Sequence, residues 1–151
     1  MSSTDRIEKR VTLKAPRTRV WKAISDSREF GEWFHASFEG PFVAGTQVNG
    51  TMTETGYEGE PFIAWVERIE PEHHFSLRWH PYAIEKGADY SNEPTTLVTF
   101  ELEERGGETL LTIVESGFDA LPASRRAKAF ESNSEGWAIQ SERVARYVES
   151  R

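Results

Sequence analysis

The feature that most constrains this chain is a change of period. From His35 to Phe118 apolar and polar side chains alternate, giving candidate strands at 36–39, 47–55, 62–70, 75–79, 96–103 and 109–116. From Pro122 to about Val148 the apolar positions recur instead at spacings of three and four, the mark of one long helix. The breaks between the strands carry turn chemistry: Gly45, Glu58-Gly59-Glu60-Pro61, Pro71-Glu72 and Gly106-Gly107. Short turns imply an antiparallel meander, because parallel neighbours need long crossovers. The exception is PYAIEKGADYSNEP (81–94), long enough to act as a lid or rim.

Ahead of the alternating region, IEKRVTLK (7–14) places Ile7, Val11 and Leu13 on one face of a strand. Pro16 suits the first turn of a helix carrying Val20, Trp21 and Ile24. Asp26-Ser27 can cap a second short helix with Phe30, Trp33 and Phe34. In the final helix the predicted stripe is Ala127, Phe130, Ser134, Trp137, Ser141, Val144 and Val148. Two serines and barely three heptads count against a coiled coil, so the helix is expected to pack on the sheet. Gly136 sits mid-helix at a cost of about 1 kcal/mol relative to Ala, which suggests a close approach or a gap there. The predicted class is α+β, a single domain over 1–151: a bent antiparallel sheet of about seven strands wrapped around a long C-terminal helix, with two short helices after the first strand.

Composition narrows the function. The chain has 18 basic and 25 acidic residues, a net charge of −7, which argues against a nucleic-acid binder or a polybasic membrane anchor. No apolar run approaches the ~20 residues that span a bilayer, and MSSTDRIEKR holds no signal-type apolar stretch, so a cytoplasmic protein is expected. With no cysteine there is no disulfide, thiolate metal site or cysteine nucleophile. Five Trp, four Tyr and nine Phe are many for a domain of this size. They either fill a bulky core or line a cavity.

Several residues are candidates for chemistry. Glu115 shares strand parity with Leu111 and Ile113. On a concave face its carboxylate would point at a cavity as acid, base or hydrogen-bond anchor; at a strand end it would be solvated or paired with an arginine. His80 ends the strand of Phe75, Leu77 and Trp79, and is either Glu115's acid–base partner or a rim histidine. Asn133 and Gln140 lie beside Trp137 on a line with Phe130, where buried amides would orient a ligand and solvated ones would do nothing. Trp65, Trp79, Phe100 and Trp137 are the expected lining, although the parity around Trp65 is ambiguous. His73 and His74 are adjacent in a turn and project apart. His35, His80 and Glu115 have a two-histidine-one-carboxylate composition, but their separation gives no support, and no metal site is expected. There is also no nucleophile elbow, phosphate-binding loop or glycine-rich dinucleotide fingerprint, so no cofactor is expected.

Four segments in order carry a family resemblance: APRTRVWKAISDSREFGEWF (15–34), FSLRWHP (75–81), TLLTIVESGFDALP (109–122) and NSEGWAIQSERVARYV (133–148). The chain resembles the START-like helix-grip superfamily, also called SRPBCC or birch-pollen-allergen-like. Within it, the match is to stand-alone bacterial relatives of the C-terminal domain of activator of heat-shock protein 90 ATPase homologues. The resemblance implies a cavity under the final helix that holds a hydrophobic small molecule. Three readings follow. The first is a binding protein lined by Trp65, Trp79, His80, Phe100, Glu115, Phe130, Asn133, Trp137 and Gln140. The second is an enzyme of cyclase or aromatase type using Glu115 and His80. The third is an interaction module with a chaperone or a second copy of the chain as partner.

Overall fold

In the computed structural model, residues 5–81 and 90–150 are described. Most of the 81–94 segment predicted as a lid or rim therefore lies outside the described residues. The elements run β1 (Arg6–Leu13), α1 (Arg17–Ser25), α2 (Ser27–Phe34), β2 (Ala36–Phe38), β3 (Gln47–Met52), β4 (Pro61–Glu70), β5 (His74–Trp79), β6 (Thr96–Arg105), β7 (Glu108–Ser116), a 3₁₀ turn (Phe118–Ala120) and α3 (Ala123–Glu149). The seven strands form one sheet in the order β1-β7-β6-β5-β4-β3-β2. Every neighbouring pair is antiparallel, as the short turns require. This is the predicted helix-grip arrangement. No helix among the described residues is long and apolar enough to cross a membrane.

The two short helices are set by local chemistry. Asp26 accepts from the backbone N–H of Arg28 (2.9 Å) and Glu29 (3.1 Å), capping α2 as predicted. His35 closes α2 in the left-handed region at φ 69°, turning the chain straight into β2. Gly31 allows that turn to close tightly, since a Cβ there would stand 2.2 Å from the Ala36 carbonyl oxygen. A triad then ties the three helices together: Arg19 donates to Glu29 at 2.8 Å, the Tyr147 hydroxyl donates to the same oxygen at 2.9 Å, and Arg19 lies over the Tyr147 ring.

Alternation places one face of the sheet against α3. Ile7, Leu13, Ala64, Val66, Phe75, Leu77, Val98, Phe100, Leu111 and Ile113 are all buried on that side. A register shift between Val66 and Arg68 resolves the ambiguous parity of β4. Ala64 and Val66 point inward, while Trp65 pairs with Arg78 on the other face. Along α3 the buried residues are Ala129, Trp137, Val144 and Val148. Ala127, predicted in the stripe, is exposed. Ala129 and Ala127 flank Trp137 on opposite sides at about 80° each on a 3.6-residue wheel, and the sheet covers the Ala129 side. That same side carries Asn133 and Gln140. Gly136 makes no close approach, because a Cβ added there meets nothing within 4 Å.

Candidate functional site

Strands β7, β6 and β5 lie side by side, and their register assembles the site. Glu115 stands opposite Val98, and Thr96, two residues before Val98 on the same face of β6, stands opposite Trp79. Glu115 is therefore within reach of the inward side chains of both neighbouring strands. Its carboxylate accepts from Thr96 Oγ1 at 2.5 Å and from Trp79 Nε1 at 2.7 Å. Helix α3 supplies the rest: Trp137 Nε1 donates at 2.8 Å, and Asn133 Nδ2 bridges both carboxylate oxygens at 2.9 and 3.1 Å. Glu115 is fully buried, and among the described residues every hydrogen-bond partner it has is a neutral side chain. Two indoles and an amide N–H₂ can only donate, which suits the acceptor-only character of an ionised carboxylate.

The rings around this carboxylate touch one another. Trp79 and Trp137 stack at 5.7 Å between centroids and 18° between planes. Phe34 lies 5.7 Å from Trp79 and 6.1 Å from Trp137, Phe62 5.5 Å from Trp79, and Phe100 5.8 Å from Trp137. Phe100 and Glu115 have no accessible surface and Trp137 only 3%. Much of the aromatic surplus thus forms one continuous network between sheet and helix, and among the described residues it leaves Glu115 no accessible surface. A groove of about 490 Å³ lies between α2 and β2, lined by Arg28, Glu32, Ser37, Phe38 and Glu39 among others. It shares no residue with the Glu115 cluster.

Of the residues named from sequence, Trp79, Phe100, Glu115, Asn133 and Trp137 meet here. Trp65 and His80 do not. They pack edge to face at 5.5 Å, and the His80 Nε2 contacts the Glu93 carbonyl oxygen at 3.0 Å. Alternation with the inward Ala64 and Val66 turns Trp65 outward, and His80 follows Trp79 and so leaves the strand on the side away from Glu115. The Glu115–His80 pair envisaged for acid–base chemistry is not assembled. Phe130 packs on Phe118 at 5.4 Å, near the start of α3. Gln140 donates to the Phe34 carbonyl oxygen at 3.1 Å, leaving its Oε1 buried without a partner. The other histidine of that two-histidine-one-carboxylate set, His35, contacts Glu54 at 2.5 Å, far from His80 in the topology.

Sequence reasoning missed Thr96, Phe34 and Phe62. Thr96 was recoverable, because it continues the parity of Val98, Phe100 and Leu102. Also unforeseen was the cluster of His35, Glu54 and Arg143, in which Arg143 donates to Glu54 at 2.9 Å. Its hydrogen bond from Arg143, then the one from His35, outweigh burial and hold the Glu54 carboxyl below its ordinary value.

No curated protein matches the chain. Solved structures share the fold. A protein from Arthrobacter aurescens superposes with a TM-score of 0.80 at 19% identity, over 100% of this chain and 91% of that one. CalU16 from Micromonospora echinospora gives a TM-score of 0.65 at 20% identity, over 95% of this chain and 75% of its own. DynU16, described as a protein of the dynemicin biosynthetic locus, is 26% identical with a TM-score of 0.73. That match covers 97% of this chain, which spans 48% of DynU16. Residues 14–149 match the family described as Activator of Hsp90 ATPase homolog 1-like protein, and with its helix-grip architecture the chain belongs to that family, within the START-like superfamily.

Proposed function

We propose that this protein binds a small, largely apolar molecule between the sheet and α3, with Glu115 as the polar anchor. The observation that carries the reading is the fully buried carboxylate held only by neutral donors. A buried charge costs several kcal/mol of lost hydration, and well-packed apolar residues of similar volume would serve stability as well or better. A carboxylate in a shell of aromatic rings is instead the composition of a recognition site, mostly apolar with a few placed polar groups. The resemblance to a superfamily that holds ligands under its final helix points the same way, as does the likeness to a protein from a biosynthetic locus. Entry requires the closed aromatic network to part, and Asn133, the half-buried member of the donor set, is where it opens.

Both indoles beside Glu115 report directly on occupancy. Titration with apolar aromatic compounds is expected to shift tryptophan emission saturably, with native mass spectrometry giving one ligand per chain. An unchanged spectrum and a ligand-free mass across a broad panel would refute the reading. Acid–base turnover is less well supported, because no second titratable group hydrogen-bonds to Glu115 among the described residues. The chaperone reading rests on family membership, and is tested by ATPase turnover on mixing with the bacterial chaperone.

A further inference from the structure

We infer that the Glu115 site selects a cation: its ligand carries a protonated amine on an apolar or aromatic body. This rests on the ligand-binding reading above and names the class of ligand. Three observations support it. Glu115 forms no ion pair with any Lys, Arg or His among the described residues, so the interior charge is compensated by dipoles alone. A ligand that brings the missing positive charge gains Coulomb energy in a medium far less screening than water. A ligand bringing a carboxylate or phosphate meets repulsion instead.

The rings favour the same sign. Trp79 and Trp137 turn their N–H edges to the carboxylate and stack on each other, with Phe34, Phe62 and Phe100 packed around them. A ligand that parts this stack to reach Glu115 therefore meets the ring faces, the negative pole of the quadrupole. Tryptophan is the strongest of them toward an ammonium, and two tryptophans flank this oxygen pair.

The third observation concerns hydrogen-bond polarity. Asn133 Nδ2 is one nitrogen bridging both oxygens of Glu115 at 2.9 and 3.1 Å. An ammonium nitrogen in that place makes the same two bonds and adds a charge. Asn133 is half-buried on α3, so its amide can turn to water when displaced, whereas the indoles of Trp79 and Trp137 have no such exit. One turn beyond Trp137, Gln140 offers a buried, unpaired acceptor, while its donor is already used on Phe34. Both polar groups on this face of α3 and β7 that a ligand can engage thus demand donors.

The test is an isosteric series on the full chain by isothermal titration calorimetry: 4-butylbenzylamine, 4-butylbenzyl alcohol and 4-butylbenzoic acid. The amine is expected to bind about tenfold or more tighter than the alcohol, with the acid weakest. Glu115→Gln should bring the amine-to-alcohol ratio toward one. Asn133→Ala, which vacates the bridging position, should tighten the amine. The ranking on the wild-type protein stands even if a variant fails to fold. If the alcohol or acid equals the amine, cation selection is overturned and the ligand-binding reading survives. If Asn133→Ala weakens the amine, the displacement argument is overturned. If none of the three binds at about 1 mM, a concentration that detects contacts worth ~4 kcal/mol, cation selection is overturned, and the ligand-binding reading falls only if the broad panel fails too.

Discussion

Replacing Trp137 with Phe tests whether the Glu115 cluster is an energetic unit. The indole of Trp137 is buried, donates to Glu115 at 2.8 Å and stacks on Trp79. Phe keeps a ring but loses the N–H. A hydrogen bond to a charged group is worth about 1.5–3 kcal/mol, and the lost bulk of the larger ring adds roughly 1–2 kcal/mol. The expected destabilisation is therefore about 2.5–5 kcal/mol, or a fall in Tm of roughly 5–20 °C for a domain of this size. Size loss alone would predict only about 1–2 kcal/mol of it.

The decisive measurement is a double-mutant cycle with Glu115→Leu, read by urea unfolding under far-ultraviolet circular dichroism so that no tryptophan signal is needed. In the Leu background the Trp137 N–H has lost its acceptor and is a buried orphan, which costs ~1–3 kcal/mol. Trp137→Phe then removes an orphan as well as bulk, and its cost should fall close to zero. The coupling energy is expected to exceed about 1.5 kcal/mol. A coupling below about 0.5 kcal/mol, the range of independent sites, would refute the view that the indole acts through the carboxylate.

Other expectations follow from single positions. Gly31→Ala drives a Cβ to 2.2 Å from the Ala36 carbonyl oxygen and should cost about 2 kcal/mol net, whereas Gly136→Ala, with open space and a helical backbone, should gain up to about 1 kcal/mol. A rise in urea midpoint for Gly31→Ala, or a fall for Gly136→Ala, would contradict the respective assignment. Glu54 is held below the ordinary value of 4.5 by Arg143 and His35. Glu29 is likewise lowered, because bonds from Tyr147 and Arg19 outweigh the upward push of burial. Their contribution is complete above pH 4.5 and is lost as pH falls through the lower folded values, so Glu54→Gln should flatten part of the acid limb of a stability–pH curve. An unaltered limb would exclude Glu54 as a contributor. Tyr147 is pushed up to about 12 from 10, by burial first and then by Glu29. Between those values the unfolded chain ionises while the native one does not, so stability falls from about pH 10 upward. Spectrophotometric titration, differenced against Tyr147→Phe, should place this phenol apart from the others; an ordinary midpoint would remove the assignment.

Glu115 was legible because alternation is a one-dimensional property: Leu111 and Ile113 carry it to the concave face. The oddity of Asn133 and Gln140 beside Trp137 was legible for a similar reason, since the helical wheel is fixed by residue spacing. Which groups those amides meet was not. Trp79 and Trp137 are 58 positions apart by their numbers, and their stacking depends on how α3 crosses β5, which no local period encodes. Trp65 was undecidable for a different reason. The apolar run 62–66 does not alternate, so it gives no sign of which parity faces in, and the bulge between Val66 and Arg68 puts the inward Ile69 out of step with Ala64 and Val66. His80 shows the limit of alternation at a strand end, where it turns away from the very carboxylate that its neighbour Trp79 contacts. Whether the aromatics form a wall or a filling also lay beyond pattern, because both need the same residues at the same parities.

The closed network changes what binding can mean here. A carboxylate already bonded by four side chains gains little from a neutral hydroxyl, which only exchanges one dipole for another and must still separate stacked rings. A ligand is worth admitting only if it supplies something the protein lacks, and what the described residues flanking Trp137 lack is a positive charge beside Glu115 and a donor for Gln140 Oε1. Stability and affinity are consequently opposed at Asn133. Each increment by which its amide steadies the empty site is subtracted from the affinity of whatever replaces it. The half-buried placement of Asn133 limits that subtraction, since a displaced amide recovers its hydrogen bonds from water. In the proposed complex the two indoles, with no water to turn to, keep holding the carboxylate as they do here. On the proposed reading the division of labour is set by burial: the donors that cannot be resolvated position the charge, and the one that can be resolvated is the one to yield to a ligand.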